Sequence, residues 1–141
     1  MIQPRTELML FTGVRYSMAL RFWVWGPAWA MMALIFAMSS VSRLPAASAI
    51  LDDRVWHALT YGTLAASLLR GVATAAWQGV TVKRVLVAAL LAILYGVTDE
   101  LHQLFVPGRV ADFSDLTADA VGATGAVFLL WCWRLVVQTS G

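Results

Sequence analysis

A run without any charged residue extends from Phe22 to Ser42. A helix needs roughly 20 predominantly apolar residues to cross a hydrocarbon core about 30 Å thick, and this run is long enough. Two further apolar stretches follow, VLVAALLAILY from Val85 and AVGATGAVFLLWCW from Ala120. Hydrophobic residues make up 60% of the chain and charged residues 13%, whereas soluble domains approach about a quarter charged. The sequence therefore predicts an integral membrane protein.

Caps and turns divide the chain into four predicted helices. We expect them at residues 22–42, 53–69, 85–105 and 115–137. Asp52 or Asp53 is the expected N-cap of the second helix, and the Pro107-Gly108 pair forms a turn after the third. The predicted fold class is all-α, a polytopic membrane protein with four transmembrane helices in one domain over residues 22–141.

Two shorter patterns add detail to this fold. Small residues recur at four-residue spacing and predict close helix packing; they are Ala58, Gly62 and Ala66 on the second helix and Ala118, Gly122 and Ala126 on the fourth. Residues 1–21 carry arginines among apolar residues, and we expect this basic segment to lie along the membrane surface.

The distribution of basic residues predicts the orientation. Seven fall at the N-terminus, in the loop between the second and third helices or at the C-terminal end; they are Arg5, Arg15, Arg21, Arg70, Lys83, Arg84 and Arg134. Only Arg43, Arg54 and Arg109 fall on the opposite side. Because cytoplasmic segments carry an excess of Lys and Arg, we expect both termini to be cytoplasmic.

Two classes of function are excluded by composition. The formal net charge is +2, but the ten basic residues are dispersed singly, so no basic stripe for nucleic acid forms. Cys132 is the single cysteine, which excludes an internal disulfide and cysteine-based zinc or redox sites. No HExxH helix, Walker loop or GxSxG elbow is present.

Most of the acidic residues lie between residues 96 and 119, in the sequence GVTDELHQLFVPGRVADFSDLTAD. This stretch holds five of the eight carboxylates, together with one of the two histidines and an arginine; they are Asp99, Glu100, Asp112, Asp115, Asp119, His102 and Arg109. Ionisable groups beside membrane spans are costly and generally functional, so this stretch is the candidate functional site.

Helical spacing predicts which of these side chains meet. Three faces are expected to converge; they carry Asp53, His57 and Tyr61 on the second helix, Asp99, His102 and Gln103 on the third, and Asp115 and Asp119 on the fourth. We expect Arg109 to lie above them beside Asp112 and to compensate part of their charge. The result is a predicted polar pocket that opens to the outer side.

As an ordered set, these residues resemble the VanZ-like family of small bacterial membrane proteins. The residues that carry the resemblance are Asp53, Arg54, His57, Tyr61, Asp99-Glu100-Leu101-His102-Gln103, Pro107-Gly108-Arg109, Asp115, Asp119 and Gly122. The family commonly has lysine at the position of Arg54 and often asparagine at that of Asp119. The resemblance implies a helical protein of the cell envelope, in the bacterial cytoplasmic membrane. The family's name-giving member is associated with lowered sensitivity to teicoplanin.

Three kinds of function remain open. An enzyme acting on a lipid phosphate could use Mg²⁺ or Mn²⁺ held by Asp53, Asp99 and Glu100. Its expected catalytic groups are Asp99, Glu100, His102 and His57, and its substrate contacts Arg109, Tyr61, Gln103, Asp115 and Asp119. A binding module could instead hold a membrane lipid or a lipid-linked envelope precursor without turnover. In the third interpretation the cluster only locks the helix ends together.

Overall fold

The computed structural model describes residues 18–42 and 52–139, and in this part of the chain the regular secondary structure is all helical, with no strand. Its four α-helices are α1 (Met18–Ser39), α2 (Asp53–Val72), α3 (Val82–Gln103) and α4 (Phe113–Thr139). A short 3-10 turn, Trp77–Gly79, lies between α2 and α3. The all-α class with four helices is therefore confirmed. Most of the segment 1–21 lies outside the described residues, as do Arg43 and the loop after it.

Several predicted helix ends were wrong by two to four residues, and local capping explains two of them. The Thr81 hydroxyl accepts a hydrogen bond from the backbone N–H of Arg84, so α3 begins at Val82 rather than at residue 85. A carboxylate oxygen of Asp112 accepts from the N–H of Ser114 at 2.8 Å, so α4 begins directly after it. At α2 the Asp52 carboxylate accepts from the N–H of Arg54, which settles the predicted N-cap as Asp52.

Three of the four helices, α1, α3 and α4, are long and apolar enough to cross a membrane. Helix α2 is more polar, since it carries His57, Tyr61 and Arg70 within its length. It is nevertheless well buried, and it packs against each of the other three helices. Helix α2 therefore lies against all three other helices, although Trp56 and Leu59 on its own surface are exposed. Many large apolar side chains of α1, α3 and α4 also face outward; Phe22, Leu86 and Leu129 are examples.

The predicted small-residue faces bring α2 and α4 into close contact. A Cβ on Gly62 would lie 3.1 Å from the carbonyl oxygen of Gly122 and 3.4 Å from the Cβ of Ala126. A Cβ on Gly122 would run into the backbone of Ala58. The predicted packing at Ala58, Gly62, Gly122 and Ala126 is therefore confirmed, and it places the polar ends of α2 and α4 side by side.

Helix α1 joins the bundle through hydrogen bonds to its backbone carbonyls. Pro27 lies inside α1 and has no N–H to donate to the carbonyl of Trp23. The Arg70 guanidinium of α2 donates to this carbonyl at 3.4 Å and lies 5.3 Å from the centre of the Trp23 ring. The Tyr95 hydroxyl of α3 donates to the carbonyl of Met32 at 2.6 Å.

Candidate functional site

Seven polar side chains meet where α2 begins, α3 ends and α4 begins. We call them the polar cluster; its members are His57, Tyr61, Asp99, Glu100, Gln103, Asp115 and Asp119. Neighbouring helices run in opposite directions, so these three helix ends lie at the same end of the bundle. Five members are nearly inaccessible, at 1% exposure for Asp119, 2% for Tyr61 and 5–7% for Asp99, Glu100 and Gln103.

His57 joins α2 to α4 through two carboxylates. Its Nδ1 lies 2.9 Å from an oxygen of Asp119, and its Nε2 lies 3.7 Å from an oxygen of Asp115. Among residues 18–42 and 52–139 these are the only ion pairs, and no Lys or Arg takes part in one. Both ring nitrogens of His57 therefore face carboxylates.

The carboxylates of Asp99 and Glu100 on α3 accept hydrogen bonds from one amide side chain and one backbone N–H. Gln103 Nε2 donates to Asp99 at 3.2 Å and lies 3.5 Å from Glu100. The second oxygen of Glu100 accepts from the backbone N–H of Asp112 at 2.9 Å. The predicted shared face of Asp99 and Gln103 is thus confirmed, and Glu100 ties the end of α3 to the start of α4.

Two buried polar atoms of the cluster have no hydrogen-bond partner, the Tyr61 hydroxyl and the second oxygen of Asp119. Both residues lie against Gly96. A Cβ on Gly96 would be 3.0 Å from that Asp119 oxygen and 3.2 Å from the Tyr61 ring. A buried polar group without a partner is costly, so a native site with two of them calls for an explanation. Sequence reasoning missed the role of Gly96, although a glycine one turn before Asp99 was a usable signal.

The predicted pairing of Arg109 with the carboxylates is wrong. Its guanidinium donates to the carbonyl oxygens of Met38 at 3.0 Å and Val41 at 3.1 Å, at the end of α1. The turn before it explains this direction. Gly108 has a φ of +82°, and the N–H of Arg109 donates to the carbonyl of Val106, as in a type II turn. Arg109 therefore caps α1 and leaves the polar cluster without its expected cation.

His102 is also directed at α1 instead of the polar cluster. Its Nε2 lies 3.0 Å from the Ser40 hydroxyl, and its ring stacks on Phe36 with centroids 4.6 Å apart. The prediction that His102 shares the pocket with Asp99 and Gln103 is therefore wrong. Nothing in the sequence indicated the contacts to Ser40 and Phe36.

The remaining acids lie at the rim. Asp53 is exposed, and it can offer a ligand atom to one ion only together with His57 and Asp115. The predicted metal ligands Asp53, Asp99 and Glu100 do not form one group among the described residues. Asp112 caps α4 by accepting a hydrogen bond from the backbone N–H of Ser114. This hydrogen bond holds the pKa of the Asp112 carboxyl below its usual value.

Comparison with known proteins agrees with this architecture. Apolar helices around a polar cluster define a helical membrane protein. The VanZ/LLP1 family model matches residues 8–135, which is most of the chain, so the protein belongs to the VanZ-like family. No curated protein and no solved structure is significantly similar to the chain.

Proposed function

We propose that this VanZ-like protein is a multi-pass protein of the bacterial cytoplasmic membrane that binds a phosphorylated lipid or a lipid-linked envelope precursor. Its four helices all cross the bilayer, both termini are cytoplasmic, and the polar cluster faces the extracytoplasmic side. Residues 22–141 form a single membrane domain, preceded by a basic interfacial segment. A lipid-linked ligand in the cell envelope would also connect this site to the teicoplanin association of the family.

The observation that carries this proposal is the buried polar cluster with its unpartnered atoms, at one end of an apolar bundle. A lipid can place its head group at such a site while its tail stays in the bilayer. The Tyr61 hydroxyl is an unpartnered donor that suits a phosphate oxygen, whereas the Gln103 amide already donates to Asp99. The carboxylates would repel a phosphate, so the proposal requires a bridging cation such as Mg²⁺ or Mn²⁺.

The proposal is binding and not histidine-based turnover, because neither histidine is placed as a general base. A general base needs a free nitrogen or oxygen within reach of the proton it removes. Both ring nitrogens of His57 face carboxylates, and His102 lies against α1. Neither histidine is therefore placed to act on a ligand in the polar cluster without rearrangement.

The scaffold interpretation is the second candidate, because two contacts of the polar cluster join helices. His57 links α2 to Asp119 of α4, and Glu100 of α3 accepts from the backbone of Asp112. A pure scaffold would retain no lipid phosphate under any condition, which separates it from the binding module.

The topology predicts that the loop after α3 is accessible from outside the cell. Val110 in this loop is 81% exposed, and Gln78 in the loop at the opposite end is also exposed. In a Cys132→Ser background, Val110→Cys should react with a membrane-impermeant thiol reagent in intact spheroplasts. Gln78→Cys is the matched control and should react only after lysis. The reverse pattern would invert the proposed orientation.

Ligand binding predicts cation-dependent retention of a lipid phosphate. Purified protein in nanodiscs should bind phosphatidic acid in preference to phosphatidylcholine. The phosphate of phosphatidic acid is an exposed monoester, whereas that of phosphatidylcholine is a diester covered by choline. Removing divalent ions with EDTA should weaken this binding at least tenfold, by about 1.4 kcal/mol, and Mn²⁺ or Mg²⁺ should restore it. Native mass spectrometry of the retained lipid is the measurement. Equal retention of both lipids in every buffer would leave the scaffold interpretation.

A further inference from the structure

Three of the buried or half-buried groups in the polar cluster can reach one ion. His57 of α2, Glu100 of α3 and Asp119 of α4 each offer a ligand atom, and these atoms all lie within 4.8 Å of one another. Two ligands of one cation, each about 2.0–2.6 Å from it, lie no more than about 5 Å apart. The three helices therefore already hold these groups at coordination distance.

The unpartnered atoms are a second, independent indication of a ligand. Asp119 is 1% exposed and Tyr61 is 2% exposed, yet one Asp119 oxygen and the Tyr61 hydroxyl have no hydrogen-bond partner. Both lie against Gly96, where an added Cβ would come within 3.0 Å of the Asp119 oxygen and 3.2 Å of the Tyr61 ring. A buried carboxylate oxygen gains most when it contacts a cation directly, because burial has removed its water.

The charge balance points the same way. The polar cluster holds four carboxylates and one histidine, and Arg109, the nearest expected cation, is directed at α1. No Lys or Arg of the described residues pairs with any of these acids. A divalent cation would supply the positive charge that the side chains lack.

We infer that His57, Glu100 and Asp119 form a binding site for one divalent cation, with Mn²⁺ preferred to Mg²⁺. Carboxylate oxygens suit both ions, but an imidazole ligand favours a transition metal. This inference rests on the proposed function in one respect, since the cation is what allows an acidic site to accept a phosphate. The site itself is defined by the protein's own three ligands.

The surroundings of His57 fit this role. Its Nδ1, which now faces Asp119, would bind the ion, and its Nε2–H would donate to Asp115, which lies 3.7 Å away. Metal-binding histidines usually donate their second ring N–H to a carboxylate in this way, which fixes the ring orientation. Asp115 is thus a positioning residue of the site.

The test is a Mn²⁺ titration of purified protein in detergent without added lipid phosphate. The electron paramagnetic resonance signal of free Mn²⁺ should show one bound ion per wild-type protein. Glu100→Gln and Asp119→Asn keep the side-chain shape but remove the charge, and each should weaken binding at least about tenfold. Mg²⁺ should displace Mn²⁺ only in large excess.

Asp52→Asn is the matched control. It removes one carboxylate at the same end of the bundle, and asparagine is an equally good N-cap, so Mn²⁺ affinity should not change. Circular dichroism and thermal melting in EDTA establish that each variant is folded. Absence of Mn²⁺ binding by the wild-type protein, or equal binding by Asp52→Asn and by both ligand variants, would overturn the site.

The two proposals fail separately in these experiments. Mn²⁺ binding without retention of phosphatidic acid would support the cation site and contradict the lipid ligand. Phosphatidic acid binding that persists in EDTA, combined with no Mn²⁺ binding, would contradict both the cation site and the bridging cation, and would leave lipid binding by the protein's own donors.

Discussion

Gly122→Ala should be strongly destabilising, although alanine is the better helix former. A Cβ at this position would lie 2.6 Å from the carbonyl carbon of Ala58, and closer still to its oxygen. These are backbone atoms, so no side chain can move aside and α2 and α4 must separate. Overpacking typically costs 1–3 kcal/mol, and we expect about 3 kcal/mol here because the collision is with a rigid helix backbone. Reversible unfolding in detergent is the measurement.

Gly125 in the same helix is the matched control. A Cβ there would meet nothing within 4 Å. Gly125→Ala should therefore be neutral or stabilising by up to about 1 kcal/mol, since alanine is favoured in helix interiors. If both variants were equally stable, α2 and α4 would not pack as closely as the structure places them. Asp119 lies on α4 only three residues before Gly122 and is hydrogen-bonded to His57 of α2. Loss of the α2–α4 packing should therefore also separate Asp119 from His57.

This packing was predictable from the sequence because it depends on residue size alone. The four-residue spacing of Ala58 and Gly62, and of Gly122 and Ala126, identifies both faces without knowledge of the partner helix. That α1, α3 and α4 are long and apolar enough to cross a membrane was equally readable, since this depends on length and composition.

The directions of Arg109 and His102 could not be read in the same way. Spacing tells which residues share a face of one helix, but it does not tell which neighbouring helix that face meets. Arg109 contacts the carbonyl of Met38, 71 residues earlier, and His102 contacts Ser40, 62 residues earlier. Electrostatic reasoning favoured carboxylates for Arg109, but the unsatisfied carbonyls at the end of α1 are its acceptors instead.

The polar composition of α2 is a further feature that the sequence pattern alone did not explain. The sequence predicts a span there, yet α2 does not meet the apolar criteria that the other three helices satisfy. Its contacts with all three other helices give its polar groups partners inside the bundle, while its exposed surface includes the apolar residues Val55, Trp56 and Leu59. Its polar groups, His57 and Tyr61, instead face α3 and α4 at the polar cluster.

His57→Ala should be the most destabilising change within the polar cluster. It removes the only ion-pair partner that the described residues give Asp119, which is 1% exposed. Breaking a buried pair by removing one partner typically costs about 3–5 kcal/mol, because the remaining charge is uncompensated. Since His57 is partly accessible, we expect the lower end, about 3 kcal/mol, measured by unfolding in EDTA so that bound metal does not contribute.

A second substitution separates charge from packing. Adding Asp119→Asn to His57→Ala removes the uncompensated carboxylate without changing its shape, so the double variant should be more stable than His57→Ala alone. His102→Ala is the control for loss of a histidine. It removes one hydrogen bond to Ser40 and a stacked ring at α1, and should cost about 1 kcal/mol with no dependence on Asp119→Asn.

Strictly additive effects of His57→Ala and Asp119→Asn would show that the carboxylate is neutral or solvated in the folded protein. The polar cluster would then have no need of a cation, so this double-mutant cycle tests the electrostatic premise on which the metal site depends.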